Sequence, residues 1–315
     1  MRIVVHMLCA LLLAGLSVAQ HPESTREDQA TVFRKNVNLV NVSFTVKDKH
    51  DALIPNLSQD QFQVIEEGRP QEIKYFSAEN NLPLTLGILI DTSESTQRML
   101  PKEKIVAGDF LTQVLTDRDL GFVISFDVHV DLLEDVTSDV HRLRKGLDRA
   151  ATHKPLPRRI SGDNPRVLPK ATLLYDAVYL GANEVLSKQA GRKAMVILTD
   201  GLDQGSQLQL RDALKAAHQA DVVCYVLLLF DPVYGNDMVG MKQLTEQTGG
   251  RVISVSDPGK LGKAFAQISE ELRSQYSIGY SPIENKHDGK FRHISIKSKD
   301  GYKVQARKGY YAPMD

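Results

Sequence analysis

Residues 84–95 read Leu84-Thr85-Leu86-Gly87-Ile88-Leu89-Ile90-Asp91-Thr92-Ser93-Glu94-Ser95. An uncharged, non-alternating run leads straight into a cluster of oxygen-bearing side chains. Such a run describes a strand covered on both faces, as in a parallel sheet. Similar runs recur at 121–126, 194–198, 222–230 and 251–255. Between them, apolar residues fall at helical spacing. One set is Ile105, Phe110 and Val114; a second is Leu173, Ala177, Leu180 and Val185; a third is Leu261, Phe265, Ile268 and Leu272. Covered strands alternating with amphipathic helices predict an α/β fold over 84–275: a doubly wound, mostly parallel sheet with helices on both faces. Residues 130–136 alternate less cleanly and are expected to form an antiparallel edge strand.

On either side the period changes to two. Val40, Val42, Phe44 and Val46 alternate with Asn41, Ser43 and Thr45. Strands are predicted at 62–65 and 73–76, with Glu67-Gly68-Arg69-Pro70 as turn chemistry between them. After Gln275, Tyr276, Ile278 and Tyr280 alternate, then Ile294 with Ile296 and Val304 with Ala306. Asp288-Gly289 and Asp300-Gly301 read as hairpin turns between these runs. Each flank, 35–80 and 276–315, is too short for a stable core of its own. The two are expected to combine in a small antiparallel β element or to pack against the α/β unit.

Residues 3–19 contain no Asp, Glu, Lys or Arg and end in Ser17-Val18-Ala19, after a start of Met1-Arg2. This is the pattern of a secretory signal peptide, residues 1–19, cut after Ala19. The polar stretch 20–34 follows as a flexible leader. The expected location is secreted or periplasmic, with no transmembrane helix left after cleavage. Cleavage removes Arg2 and Cys9, leaving a formal charge of −1 and Cys224 alone in its apolar run, a core thiol. The full 315 residues carry 39 basic and 39 acidic side chains. That balance argues against a nucleic-acid partner, which calls for a basic excess. Two cysteines argue against a disulfide scaffold or a multi-cysteine zinc site.

In a doubly wound sheet the carboxyl ends of the strands face the ligand crevice. Asp91, Ser93 and Ser95 offer a carboxylate and two hydroxyls there, within one turn. A second strand end, Thr199-Asp200-Gly201, brings another carboxylate to the same edge, and Gly201 permits a sharp exit. Hard oxygen donors of this kind suit a divalent ion such as magnesium, with manganese or calcium as alternatives.

The combination resembles the von Willebrand factor type A domain, whose ion site joins Asp-x-Ser-x-Ser, a distant Thr and a distant Asp. Asp91, Ser93 and Ser95 match the first part, Thr172 in Ala171-Thr172-Leu173-Leu174 the second, and Asp200 the third. The family often has glycines before the Thr, where this chain has Pro169-Lys170-Ala171. The resemblance implies that Ser93, Ser95 and Thr172 bind the ion directly, that Asp91 and Asp200 act largely through water, and that a carboxylate from a protein partner completes the coordination. The flanks are similar to those of the secreted bacterial von Willebrand factor type A-related family, abundant in acidobacteria. Asp60-Gln61-Phe62, Glu66-Glu67-Gly68, 276–282 and Gly309-Tyr310-Tyr311-Ala312 carry that similarity. The implied function is metal-dependent protein binding in adhesion or assembly, without catalysis.

Residues 152–170 hold Lys154, Arg158, Arg159, Arg166 and Lys170 against Asp163 alone, and lead directly to Thr172. This cationic segment is a candidate surface for an acidic partner. Asp127 and His129 follow a strand toward the same edge but are read as loop residues. His218 is read as lying on a helix surface, and Asp203 as a helix cap. The alternative function is a metal-dependent phosphatase or hydrolase using Asp91 as nucleophile. Such enzymes pair Asp with a second acid two residues on, where this chain has Ser93. No Gly-x-Ser-x-Gly elbow occurs either.

Overall fold

The computed structural model describes residues 39–78, 82–153, 172–229 and 237–314. The segments expected as signal and leader, and Lys154, Arg158, Arg159, Arg166 and Lys170, lie outside the described residues. In chain order, β1 (Val40–Lys47), β2 (Phe62–Glu66), β3 (Arg69–Gln71) and β4 (Ile73–Ser77) come first. The α/β unit then runs β5 (Leu84–Asp91), α1 (Leu100–Val114), β6 (Leu120–Phe126), β7 (Val130–Thr137), α2 (Val140–Arg149) and α3 (Leu174–Tyr179). It continues with β8 (Arg192–Thr199), α4 (Leu210–Gln219), β9 (Val222–Leu229), α5 (Met238–Thr248), β10 (Val252–Val255) and α6 (Leu261–Arg273). The chain finishes with β11 (Tyr276–Tyr280), β12 (Phe291–Ser298), β13 (Lys303–Ala306) and β14 (Gly309–Tyr311).

The central sheet has the order β10-β9-β8-β5-β6-β7. All its pairings are parallel except that of β7, which runs antiparallel to β6 at the edge. Every residue of β5 is buried, as its unbroken apolar run predicts. Side chains of α1, α2 and α6 pack on one face with Leu86, Ile88 and Val196. Those of α3, α4 and α5 pack on the other with Leu89, Ile124 and Ile197. This is the doubly wound architecture expected for 84–275. Ile105 departs from expectation, being 57% exposed. The buried stripe of α1 runs Leu100, Glu103, Ala107, Phe110, Leu111 and Val114, and Ile105 falls between its turns. A carboxylate, Glu103, occupies a core position instead.

The flanks interleave rather than stack. One sheet has the order β13-β1-β11-β4, in which N- and C-terminal strands alternate; the other, β14-β12-β2-β3, joins a C-terminal pair to an N-terminal pair through β12 and β2. Val42, Phe44, Phe62, Val64, Tyr276, Ile278 and Ile294 form their common core. The ring of Phe44 meets Phe62 edge-on at 5.1 Å and stacks on Tyr276 at 5.4 Å. Asp288-Gly289 and Asp300-Gly301 do not close hairpins. Their glycines have positive φ, but β11, β12 and β13 pass from one sheet to the other across them. Each strand must turn its apolar side to the shared core, and crossing between sheets achieves that. Glu67-Gly68 does make a two-residue hairpin, with φ of 47° and 77°. Its second strand is β3, which the sequence did not suggest because it contains Pro70. As an edge strand, β3 tolerates the missing donor.

The β element sits at the amino-terminal edge of the central sheet. Arg307 binds the carboxylate of Asp221, just before β9, and donates to the carbonyl of Asn41 in β1. Lys47 of β1 reaches Glu271 of α6 at 2.9 Å, both side chains 2% exposed, and Arg251 holds the same carboxylate. His218, expected on a helix surface, is buried under this element, edge-on to Phe291 at 5.1 Å. Burial, with the charge of Arg307, pushes its imidazole down to about 4. Cys224 is buried as expected, and burial pushes its thiol up to about 12. Among the described residues no helix is long and apolar enough to cross a membrane.

Candidate metal centre

Strand β5 is the point from which the chain winds outward in both directions, to β6 on one side and β8 on the other. A ligand crevice opens at such a switch point, beyond the carboxyl ends of the strands. Ile90 is paired with Leu198, so Asp91 and Asp200 leave neighbouring strands at the same edge. Gly201 then turns the chain away with φ of 85°, a conformation that L side chains rarely adopt.

Asp91 is fully buried. Its Oδ1 accepts the Ser93 N–H at 2.9 Å, and its Oδ2 accepts the Thr199 hydroxyl at 2.7 Å. The Ser95 hydroxyl donates to Asp200 Oδ2 at 2.6 Å and lies 3.0 Å from Ser93 Oγ. Four of the five residues read from the sequence, Asp91, Ser93, Ser95 and Asp200, therefore form one bonded cluster. Thr172 is buried but makes no hydrogen bond to these four among the described residues; its main chain holds it. Its carbonyl accepts the Gln204 N–H at 3.1 Å, four residues beyond Asp200, and the next N–H, of Leu173, donates to Asp127 at 3.0 Å.

Several participants had no role in the sequence reading. Thr199 was visible only as a neighbour of Asp200, yet it bonds Asp91 and also accepts the Gly201 N–H at 3.0 Å. Thr96 donates to the carbonyls of Asp91 and Ser93, closing the turn between strand and helix. Asp127 lies in the loop between β6 and β7, as expected, yet it is buried and accepts the Thr92 hydroxyl at 3.0 Å. Asp203 does cap a helix, but from another segment: it accepts the Tyr175 N–H at the start of α3.

Burial, then the charge of Asp200, push the Asp91 carboxyl up to about 7. Glu103 is held well above the ordinary carboxylate range by burial and then by Asp91. Among the described residues, none of the hydrogen bonds to Asp91 or Asp200 comes from a lysine or arginine. The donors left to an ion are carboxylate and hydroxyl oxygens. Among the described residues, no group of three or more His, Cys, Asp or Glu side chains could hold a metal by itself. The cluster thus fits a hard divalent cation sharing hydroxyls and water better than a thiolate or imidazole site. A cation between Asp91 and Asp200 would also offset the repulsion that raises Asp91.

No protein-family model matches the chain, and no curated protein matches it. Solved structures do. Proximal thread matrix protein 1 of the mussel byssus is 13% identical, over 74% of this chain and 50% of that one, with a TM-score of 0.49. The chain thus spans about half the length of that protein. Another structure of it, with a zinc-occupied MIDAS motif, is 15% identical over 64% and 48%, with a TM-score of 0.48. A von Willebrand factor type A protein of Catenulispora acidiphila is 11% identical over 90% and 75%, with a TM-score of 0.48. At these identities the likeness is one of fold. What the chain itself carries is the winding outward from β5, a single reversed edge strand, and Asp91-x-Ser93-x-Ser95 near Asp200 at the switch point; in these features its α/β unit resembles the fold of a von Willebrand factor type A domain.

Proposed function

We propose that the protein is a secreted or periplasmic binding module that captures a protein partner through a divalent cation. Ser93, Ser95 and Thr172 hold the ion directly, Asp91 and Asp200 hold it largely through water, and an acidic side chain of the partner completes its shell. The observation that carries this reading is the Ser95–Asp200 bond beside fully buried Asp91: Asp200 accepts the Ser95 hydroxyl, Asp91 accepts the Ser93 N–H, and among the described residues no basic side chain is bonded to either carboxylate. Magnesium is the proposed ion. The segment with Lys154, Arg158, Arg159, Arg166 and Lys170 enters the proposal through its charge, which would favour encounter with an acidic partner. Adhesion or extracytoplasmic assembly follows as the role.

Nucleophilic use of Asp91 is disfavoured. Both its oxygens accept hydrogen bonds within the cluster, and Ser93 supplies no acid two residues on.

Thermal unfolding of the mature chain with magnesium or manganese, against chelator, tests the proposal. Binding at 100 times Kd adds about 2.7 kcal/mol to stability, so a clear rise in Tm is expected. Asp91→Ala and Asp200→Ala should abolish that rise. A folded wild type whose Tm ignores both ions would sink the metal assignment. Phosphatase turnover lost in Asp91→Asn would instead support the hydrolase.

A further inference from the structure

Asp127 lies at the junction between β6 and the ion-motif turn, and every polar atom it has is engaged. Its Oδ2 accepts the Thr92 hydroxyl at 3.0 Å, the His153 N–H at 2.8 Å, and lies 3.0 Å from His153 Nδ1. Its Oδ1 accepts the His129 N–H at 3.0 Å. Its own N–H donates to the His129 carbonyl at 2.9 Å, and its carbonyl accepts the Leu173 N–H at 3.0 Å. The side chain is 1% exposed, whereas that of His153 is 47% exposed.

Three separate pieces of chain meet on this residue. Thr92 stands between Asp91 and Ser93, and its own N–H is tied to the carbonyl of Phe126, next to Asp127. His153 lies where the chain leaves α2, and Leu173 follows Thr172 directly. The distant hydroxyl of the ion site therefore takes its place from two main-chain bonds, one to Asp127 and one from Gln204. Gln204 belongs to the Asp200 turn. Asp127 provides the corresponding tie toward the Asp91 turn. A buried carboxylate accepting several N–H and O–H bonds is a stiff anchor. Groups that orient ligands without touching the metal commonly change affinity about 10–100-fold when removed.

We infer that Asp127 is a positioning residue for the ion site, setting Thr172 against Asp91, Ser93 and Ser95 through Leu173 and Thr92. The inference rests on the ion-binding proposal above. It adds a residue outside the five ligands whose loss weakens the ion without removing any donor.

Calorimetric titration of the full mature chain with manganese, well below Tm, tests it. The series is wild type, Asp127→Ala, Thr92→Val and His153→Ala, each also melted in chelator. Asp127→Ala should raise the manganese Kd about tenfold or more. Thr92→Val removes the hydroxyl's contacts to Asp127 and the Phe126 carbonyl while keeping every main-chain bond, and should raise Kd about threefold or more, below the full range because Asp127 itself remains. A residue serving stability alone would lower Tm in chelator and leave Kd unchanged. His153→Ala keeps the main-chain N–H on Asp127 and should stay closer to wild type than Asp127→Ala. If Asp127→Ala fails to fold, Thr92→Val decides. A Kd within a factor of 1.5, roughly 0.2 kcal/mol, of wild type in the deciding variant overturns the positioning role. Wild type that binds no manganese overturns the ion-binding proposal itself, which is a distinct outcome.

Discussion

At the scale of single residues, the chemistry turns on carboxylates held where water does not reach. Asp91 starts at an ordinary 3.8 and is raised to about 7 in the fold. In the ion-free protein the folded state keeps its proton over that interval while the unfolded state has lost it. Stability is therefore fully present below about 3.8 and is lost as pH rises toward 7. Glu103 contributes in the same direction from its core position. An ion requires the carboxylate, so its affinity should fall as pH drops below about 7, approaching tenfold per unit where one proton is taken up. Manganese titrations from pH 5.5 to 8.5 would show this slope. In chelator, Asp91→Asn should show a smaller loss of stability between pH 5 and 8 than wild type. A manganese affinity flat across that range would refute the linkage. Much of the site was legible at this scale, because Asp91, Ser93, Ser95 and Asp200 stand at the ends of recognisable strands. Asp127, Thr199 and Glu103 were not. Their roles depend on what lies across a gap in sequence, and a buried Glu in an amphipathic helix reads as solvent-facing until the helix is rotated.

At the scale of elements, unbroken apolar runs identified β5, β6, β8 and β9 because coverage on both faces leaves no polar alternation. Period-two runs in the flanks identified strands but not their partners. Turn residues specify that the chain reverses, whereas the neighbour of a strand is chosen by which side must face the core. The joint between α6 and β1 was equally hidden. Lys47 and Glu271 are 224 residues apart and meet almost without water. Removing one member of a buried pair leaves the other charge uncompensated, a loss of about 3–5 kcal/mol. Glu271→Ala should show a loss of that size in urea unfolding, since among the described residues it leaves Lys47 and Arg251 only the half-exposed carboxylate of Asp51, at 3.7 and 3.6 Å. A loss under about 1 kcal/mol, the upper range of surface pairs, would mean that the joint stays hydrated.

At the scale of the whole molecule, the two ends of the central sheet have different duties. The amino-terminal edge is occupied by the β element, through Asp221, Arg307 and Glu271. The carboxyl edge carries the candidate ion cluster, whose hydrogen bonds among the described residues stay within 84–275. A chain shortened to 84–275 should therefore melt at lower temperature than the full chain yet keep its ion-dependent rise in Tm. If circular dichroism shows the short form folded and the rise has vanished, the two edges are coupled after all.

The pairing of β5 with β8 has a mechanical side. They run parallel and are hydrogen-bonded side by side from Leu84 with Arg192 to Ile90 with Leu198. A partner pulling on Asp91 and Asp200 would draw on both strands along their length and in the same sense. Traction at that edge moves β5 and β8 as one body and loads their outer ladders, to β6 and β9, in shear, with the bonds of each sharing the force together instead of peeling one after another.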